Sequence, residues 1–226
     1  MIIIKGSNLV KEYGSKMSKT QVIKGINLII ESGEFVSVVG PSGSGKTTLL
    51  YLLSGLEPYT DGSIQLFDKE LNTYSSSDTA NLRQTKIGFV FQSYNLIGNL
   101  NVYENVLISA VIAGKSDKNR VHEALEMVGM LEYKNLYPNQ ISGGMQQRVS
   151  IARALVNDPE IIFADEPTGN LDHHNGLQIM EILKQLNQNY HKTIIFVTHN
   201  EDLLSFGTRT IRLNDGLIIE DVETLK

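Results

Sequence analysis

The 226-residue chain contains no cysteine. Neither a disulfide framework nor a thiolate metal site can be built from it. It also lacks an excess of basic charge: 20 Lys and Arg against 25 Asp and Glu leave a net −5. That balance argues against nucleic acid as the main partner. No apolar run approaches the length of a membrane span. If the protein works at a membrane, another chain must supply the spans. The N-terminus, Met1-Ile2-Ile3-Ile4-Lys5, turns polar within a few residues, so no secretory leader is expected. These absences together fit a cytosolic location. What is present is enough apolar sequence, 41% of residues, to bury a sizeable core. The length suits one large domain or a core with a subdomain.

One stretch organises the rest. Phe35-Val36-Ser37-Val38-Val39 is an apolar run of strand length, and Lys46 to Ser54 is compatible with a helix. Between them, Gly40 to Thr47 fits G-x-x-x-x-G-K-[ST], in the strand–loop–helix context that motif needs. Glycines let the chain curl so that successive N–H groups point at phosphate oxygens. The helix N-terminus adds partial positive charge. Candidate phosphate-binding residues are Gly40, Ser42, Gly43, Ser44, Gly45, Lys46, Thr47 and Thr48. Lys46 is expected to reach the β- and γ-phosphates of a nucleotide, and Thr47 to ligate Mg²⁺.

Strands are expected over Ile2–Ile4, Ser7–Tyr13, Val22–Glu31, Ser63–Phe67, Ile87–Phe91, Ile161–Ala164 and Thr193–Thr198. The polar segment Gly14–Thr20 reads as a hairpin loop. Helical spacing marks Val102–Ala113, Lys118–Met130, Met145–Val156 and Asn175–Tyr190. Arg209–Leu213 and Leu217–Glu220 form a closing hairpin about Asn214-Asp215-Gly216. Strands alternating with helices predict an α/β fold with a largely parallel sheet. Residues 93–157, without a strand pattern, read as a helical subdomain.

Two further constellations carry chemistry. Ile161-Ile162-Phe163-Ala164-Asp165-Glu166 is a buried strand ending in two carboxylates. Alone it reads as a solvated acidic turn. Beside a phosphate loop, Asp165 stands where the Mg²⁺-coordinating carboxylate belongs, and Glu166 is a candidate general base. Ser142-Gly143-Gly144 stands directly before a helix, and a hydroxyl with glycine amides there makes a second anion-binding device. Any N-capped helix after a flexible turn would match it. One nucleotide does not need two such devices from one chain, so this one is expected to cap the nucleotide of a partner copy.

Gly40–Thr47, Ser142–Gly144, Asp165-Glu166-Pro167-Thr168-Gly169-Asn170-Leu171-Asp172 and His199, in that order, resemble the nucleotide-binding subunit of an ABC transporter. The resemblance covers essentially the whole chain. Glu166–Asp172, with Ile87–Gln92, is similar to the subgroup of lipoprotein-release, macrolide-export and antimicrobial-peptide-resistance ATPases. The resemblance implies a P-loop NTPase (RecA-like) core with an antiparallel β subdomain, residues 1–92 and 158–226, and the helical subdomain 93–157 carrying the Ser142–Gly144 signature. It assigns Tyr13 to stacking on adenine. Gln92 goes to Mg²⁺ or the water and to the side facing the membrane partner. Asp172 goes to the dimer interface, and His199 to the γ-phosphate. His122, His173, His174 and His191 match nothing. Ile141 replaces the family's usual Leu. Met145 replaces its usual Gln, so an amide contact to the partner's nucleotide is lost or replaced.

The implied function is ATP-driven dimerisation that powers an integral membrane permease from the cytoplasmic face. The dimer is a homodimer or a heterodimer, and no nucleic acid is expected. Two alternatives stay open: a regulatory ATPase of a membrane signalling or cell-division complex without transport, and a soluble ATPase of this type acting on DNA or ribosomes.

Overall fold

A computed structural model describes residues 1–15, 18–115 and 117–224. The elements, in chain order, begin with β1 (Ile2–Ser15), β2 (Ser18–Glu31), β3 (Phe35–Val39), α1 (Lys46–Leu53), β4 (Asp61–Leu66), β5 (Lys69–Glu70), α2 (Ser76–Thr85) and β6 (Ile87–Phe91). They continue with α3 (Val102–Ile112), α4 (Lys118–Met127), α5 (Gly143–Leu155), β7 (Ile161–Asp165), α6 (His173–Tyr190), β8 (Thr193–Thr198), β9 (Arg209–Asn214) and β10 (Leu217–Glu223). Two compact units result, Met1–Thr79 with Thr193–Lys226, and Ala80–Lys192.

The first unit holds an antiparallel sheet in the order β2-β1-β4-β5 and a set of strands in the order β10-β9-β3-β8. In the second set β3 runs parallel to both β8 and β9. Their sequences explain the difference. Every residue of β3 and β8 is buried, as suits strands with apolar neighbours on both faces. Along the second half of β2, Ile26, Leu28 and Ile30 are buried while Asn27, Ile29 and Glu31 are exposed, so this sheet buries one face only. Phe35 and Phe196 meet edge to face at 5.3 Å in the core between β3 and β8. Arg209 ties the two sheets: its guanidinium pairs with Asp221 on β10, reaches Glu34, and donates to the carbonyl of Ile29 on β2.

The expected loop 14–20 is mostly strand. Gly14 pairs with Lys19 and Ser15 with Ser18, which confines the connection to residues 16 and 17, outside the described residues. A two-stranded ribbon exposed on both faces needs no apolar partner, so polar Ser and Lys extend it without betraying it in the pattern.

In the second unit β6 and β7 pair in parallel, Ile87 opposite Ile161 through Phe91 opposite Asp165. Phe89 lies between Phe91 and Phe163, at 5.8 and 5.7 Å. Helix α6 buries Ile179, Met180, Ile182, Leu183 and Leu186 of the face its spacing predicts, while Leu177, expected on that face, is only partly buried. Helices α3, α4 and α5 pack on one another, α3 through Val102, Val106 and Ala110 and α5 through Val149, Ile151, Ala152 and Leu155. Asn101 caps α3 reciprocally with Glu104. Among the described residues no helix is long and apolar enough to cross a membrane.

Candidate functional site

The phosphate loop leaves β3 at Val39, which lies in register with Thr198 at the end of β8. Gly40 and His199 therefore follow two adjacent strand ends, and both line a cavity of about 440 Å³ with Pro41, Glu201, Arg212 and Asn214. Gly40 is required by close approach: a Cβ there would stand 2.0 Å from the carbonyl oxygen of Leu213. Gly45 is required by conformation, with φ +99° at the N-cap of α1. No side chain caps that helix, so its first N–H groups stay directed at whatever the loop encloses. The Lys46 ammonium is buried across the loop and donates to the carbonyls of Gly40 (2.8 Å) and Pro41 (3.0 Å). Ser44 is 3% exposed, and its Oγ has no hydrogen-bond partner. A buried hydroxyl without a partner is costly. An uncapped helix end, a lysine and an orphaned hydroxyl around one loop meet the demands of a phosphate chain.

Tyr13, near the end of β1, donates its hydroxyl to Glu57 at 2.6 Å and keeps 40% of its surface exposed. Partial burial and the Glu57 carboxylate push the phenol above its ordinary range, so it remains a donor.

The second unit supplies the other candidates. Because Phe91 and Asp165 are paired, Gln92 and Glu166 follow side by side. Both converge on Gly169: a Cβ there would lie 2.7 Å from Gln92 Nε2 and 3.2 Å from Glu166 Oε2. Glu166 has φ +45°, a left-handed conformation rare for a residue with a side chain. The turn is closed by the Gly169 N–H donating to the Glu166 carbonyl. Asn170 exchanges hydrogen bonds with Gln92, side chain to side chain at 3.1 Å and side chain to backbone at 3.0 Å. Gln147, fully buried on α5, donates to the carbonyls of both Phe91 and Pro167 and so holds the two strand ends together.

Ser142 caps α5 by accepting the N–H of Met145 at 3.3 Å. Gly143 lies under the Tyr94 hydroxyl, and Gly144 lies against the Asn175 amide; a Cβ would meet them at 2.9 and 2.7 Å. Asp172 caps α6 through the Asn175 N–H and also accepts from its side chain. Those two bonds hold its carboxyl below the usual carboxylate range. Asn175 thus joins the Asp172 turn to the Ser142–Gly144 turn.

Sequence reasoning assigned no role to Asn170, Gln147, Tyr94, Asn175, Lys11 or Glu57. Asn170 stands inside the run Asp165–Asp172; the others leave no local signal. For a divalent cation the first unit offers the Thr47 hydroxyl, and the second offers Asp165 and Gln92. These hard oxygen donors suit Mg²⁺. No cluster of three or more His, Asp or Glu able to hold a metal occurs among the described residues.

Residues 23–169 match the family model described as ABC transporter. The bacitracin export ATP-binding protein BceA of Halalkalibacterium halodurans is 42% identical over 221 residues, 96% of this chain and 87% of that protein. The macrolide export ATP-binding/permease protein MacB of Mannheimia succiniciproducens is 44% identical over 99% of this chain, which spans only 35% of that longer protein. The dimeric, post-hydrolysis structure of the ATP-binding cassette MJ0796 bound to ADP and Pi superimposes with a TM-score of 0.90 at 39% identity, covering 99% of this chain and 100% of that one. The chain belongs to the ABC transporter family, in its ATP-binding component, and has the α/β P-loop fold of that component.

Proposed function

We propose that the chain is the ATP-hydrolysing subunit of an ABC export or extraction complex, and that it works as a dimer on a separate membrane-spanning partner. The observation that carries this reading is the phosphate loop, with Ser44 Oγ buried and unpartnered beside Lys46 and the uncapped end of α1. Residues 1–92 and 158–226 act as the catalytic core and 93–157 as the helical subdomain.

In the dimer each ATP lies between Gly40–Thr47 of one copy and Ser142–Gly144 of the other. Lys46 and the loop N–H groups hold the β- and γ-phosphates. Tyr13 stacks on the adenine, and Asp172 crosses the dimer interface. Thr47, Asp165 and Gln92 are the residues that would hold Mg²⁺, and the ion would supply neutralisation of charge on the phosphates. Glu166 accepts a proton from a water as that water attacks the γ-phosphorus. The bond to the β-phosphate bridging oxygen breaks, and ADP leaves with that oxygen. His199 donates to the γ-phosphate oxygens as their charge is redistributed.

A groove of about 250 Å³ in the second unit fits the partner. Phe89, Phe91 and Ile112 give it an apolar floor, and Ile112 is 59% exposed. Arg83 and Arg153 line it, and among the described residues no carboxylate does. This chemistry suits an amphipathic helix carrying an acidic residue.

The test is purification of the tagged chain from gently solubilised membranes of its own host. A polytopic membrane protein is expected in stoichiometric amount, and Ile112→Glu is expected to lose that protein while retaining ATP binding. Recovery of the chain only with ribosomes or DNA would overturn the membrane reading. Recovery of the partner undiminished with Ile112→Glu would remove the groove as its docking surface.

A further inference from the structure

We propose that Lys11 and Glu57 are positioning residues for the Tyr13 ring and thereby set the affinity of the site for the base of its nucleotide. The inference rests on the reading of Tyr13 as the base platform.

Lys11 and Tyr13 stand two residues apart on β1 and so share one face of the strand. Lys11 is 7% exposed, which is rare for a lysine, and its ammonium is fully engaged. It pairs with Glu57 Oε1 at 2.9 Å, donates to the Pro58 carbonyl at 2.7 Å and lies 4.9 Å from the centre of the Tyr13 ring. Glu57 uses its other oxygen, Oε2, to accept the Tyr13 hydroxyl. One carboxylate therefore bridges a buried cation and the platform ring.

A tyrosine side chain orients through two torsions. Here the hydroxyl is tethered at its tip and the ring is held by the ammonium near its face, so both torsions are fixed. Thr48 lies close enough to the Tyr13 hydroxyl to offset part of its upward shift, and Thr48 belongs to α1, the helix that begins at the phosphate loop. The ring is thus placed relative to the loop that holds the phosphates, which is what a base platform requires of a nucleotide bound at both ends. A ring already immobilised loses little freedom when a base stacks on it, so the clamp raises affinity by preorganisation.

The experiment is calorimetric titration of the purified full chain with ATP and, separately, with inorganic tripolyphosphate, which has no base. Tyr13→Phe removes the tether but keeps the ring and the Lys11–Glu57 pair. Glu57→Gln keeps size but weakens both arms of the bridge. Each is expected to weaken ATP binding about 3- to 10-fold, the range of one such contact, and to leave tripolyphosphate binding unchanged. The double variant should be no weaker than either single one, because both act through one ring. Unchanged ATP affinity in either single variant would overturn the proposal. So would equal weakening of tripolyphosphate, or additive effects. Tyr13→Ala separates the two layers. If it leaves ATP affinity unchanged, the platform reading itself fails. If it weakens ATP while Tyr13→Phe does not, only the clamp fails.

Discussion

Glu166→Gln is expected to bind ATP as tightly as the native chain and to lose roughly 10²–10⁴-fold in turnover, the range for removal of a general base. Gln preserves the length, shape and one acceptor oxygen of the native side chain, so its place beside Gly169 is kept. It cannot take up the proton of the attacking water. Because hydrolysis is what separates the proposed dimer, the variant should also accumulate as an ATP-bound dimer, visible as a doubling of mass in size-exclusion chromatography with light scattering. Unchanged turnover would remove Glu166 as the base. Lost turnover without a persistent dimer would keep the base but sink the link between hydrolysis and separation.

The second large effect is structural. Gly40→Ala should destabilise the fold and abolish nucleotide binding together. The new Cβ would fall 2.0 Å from the Leu213 carbonyl oxygen and 2.9 Å from Ser44 Oγ. The first is backbone of a β-strand that cannot turn aside. Overpacking of this kind costs about 1–3 kcal/mol, and here the relief must come from moving the start of the phosphate loop. Gly43→Ala offers the contrast. It has φ +80° but nothing within 4 Å of its Cβ, so its cost is strain alone, about 1–2 kcal/mol. Denaturant unfolding of both variants, followed by ATP titration, checks the order. Gly40→Ala as stable as the native chain and still binding ATP would show that the loop is far more pliant than its packing implies.

The parts of the site legible in the sequence are those whose logic is local. The spacing from Gly40 to Thr47 encodes a curled loop within eight residues, and the apolar runs before Gly40, Gln92, Asp165 and His199 mark buried strand ends. Where the structure adds information, the contacts span long stretches of chain. Lys11 meets Glu57, Gln92 meets Asn170, and Gln147 spans the carbonyls of Phe91 and Pro167. Each pairing depends on which strands become neighbours, and neither composition nor period records that. The extension of β1 and β2 into polar sequence was hidden for a related reason. Periodicity reports burial, and a ribbon open to water on both faces buries nothing. Ser142 shows the reverse limit. Its capping bond to Met145 is legible and real, yet the same hydroxyl is assigned to a partner's nucleotide, and a helix cap looks alike whether or not a ligand later takes its place.

The left-handed backbone at Glu166 carries a consequence for how such a chain can be improved. A glycine would occupy φ +45° without the strain that a carboxylate-bearing residue endures there. Heat resistance and catalysis therefore pull this position in opposite directions. Selection for thermal tolerance alone would drift toward discarding the side chain proposed above as the base.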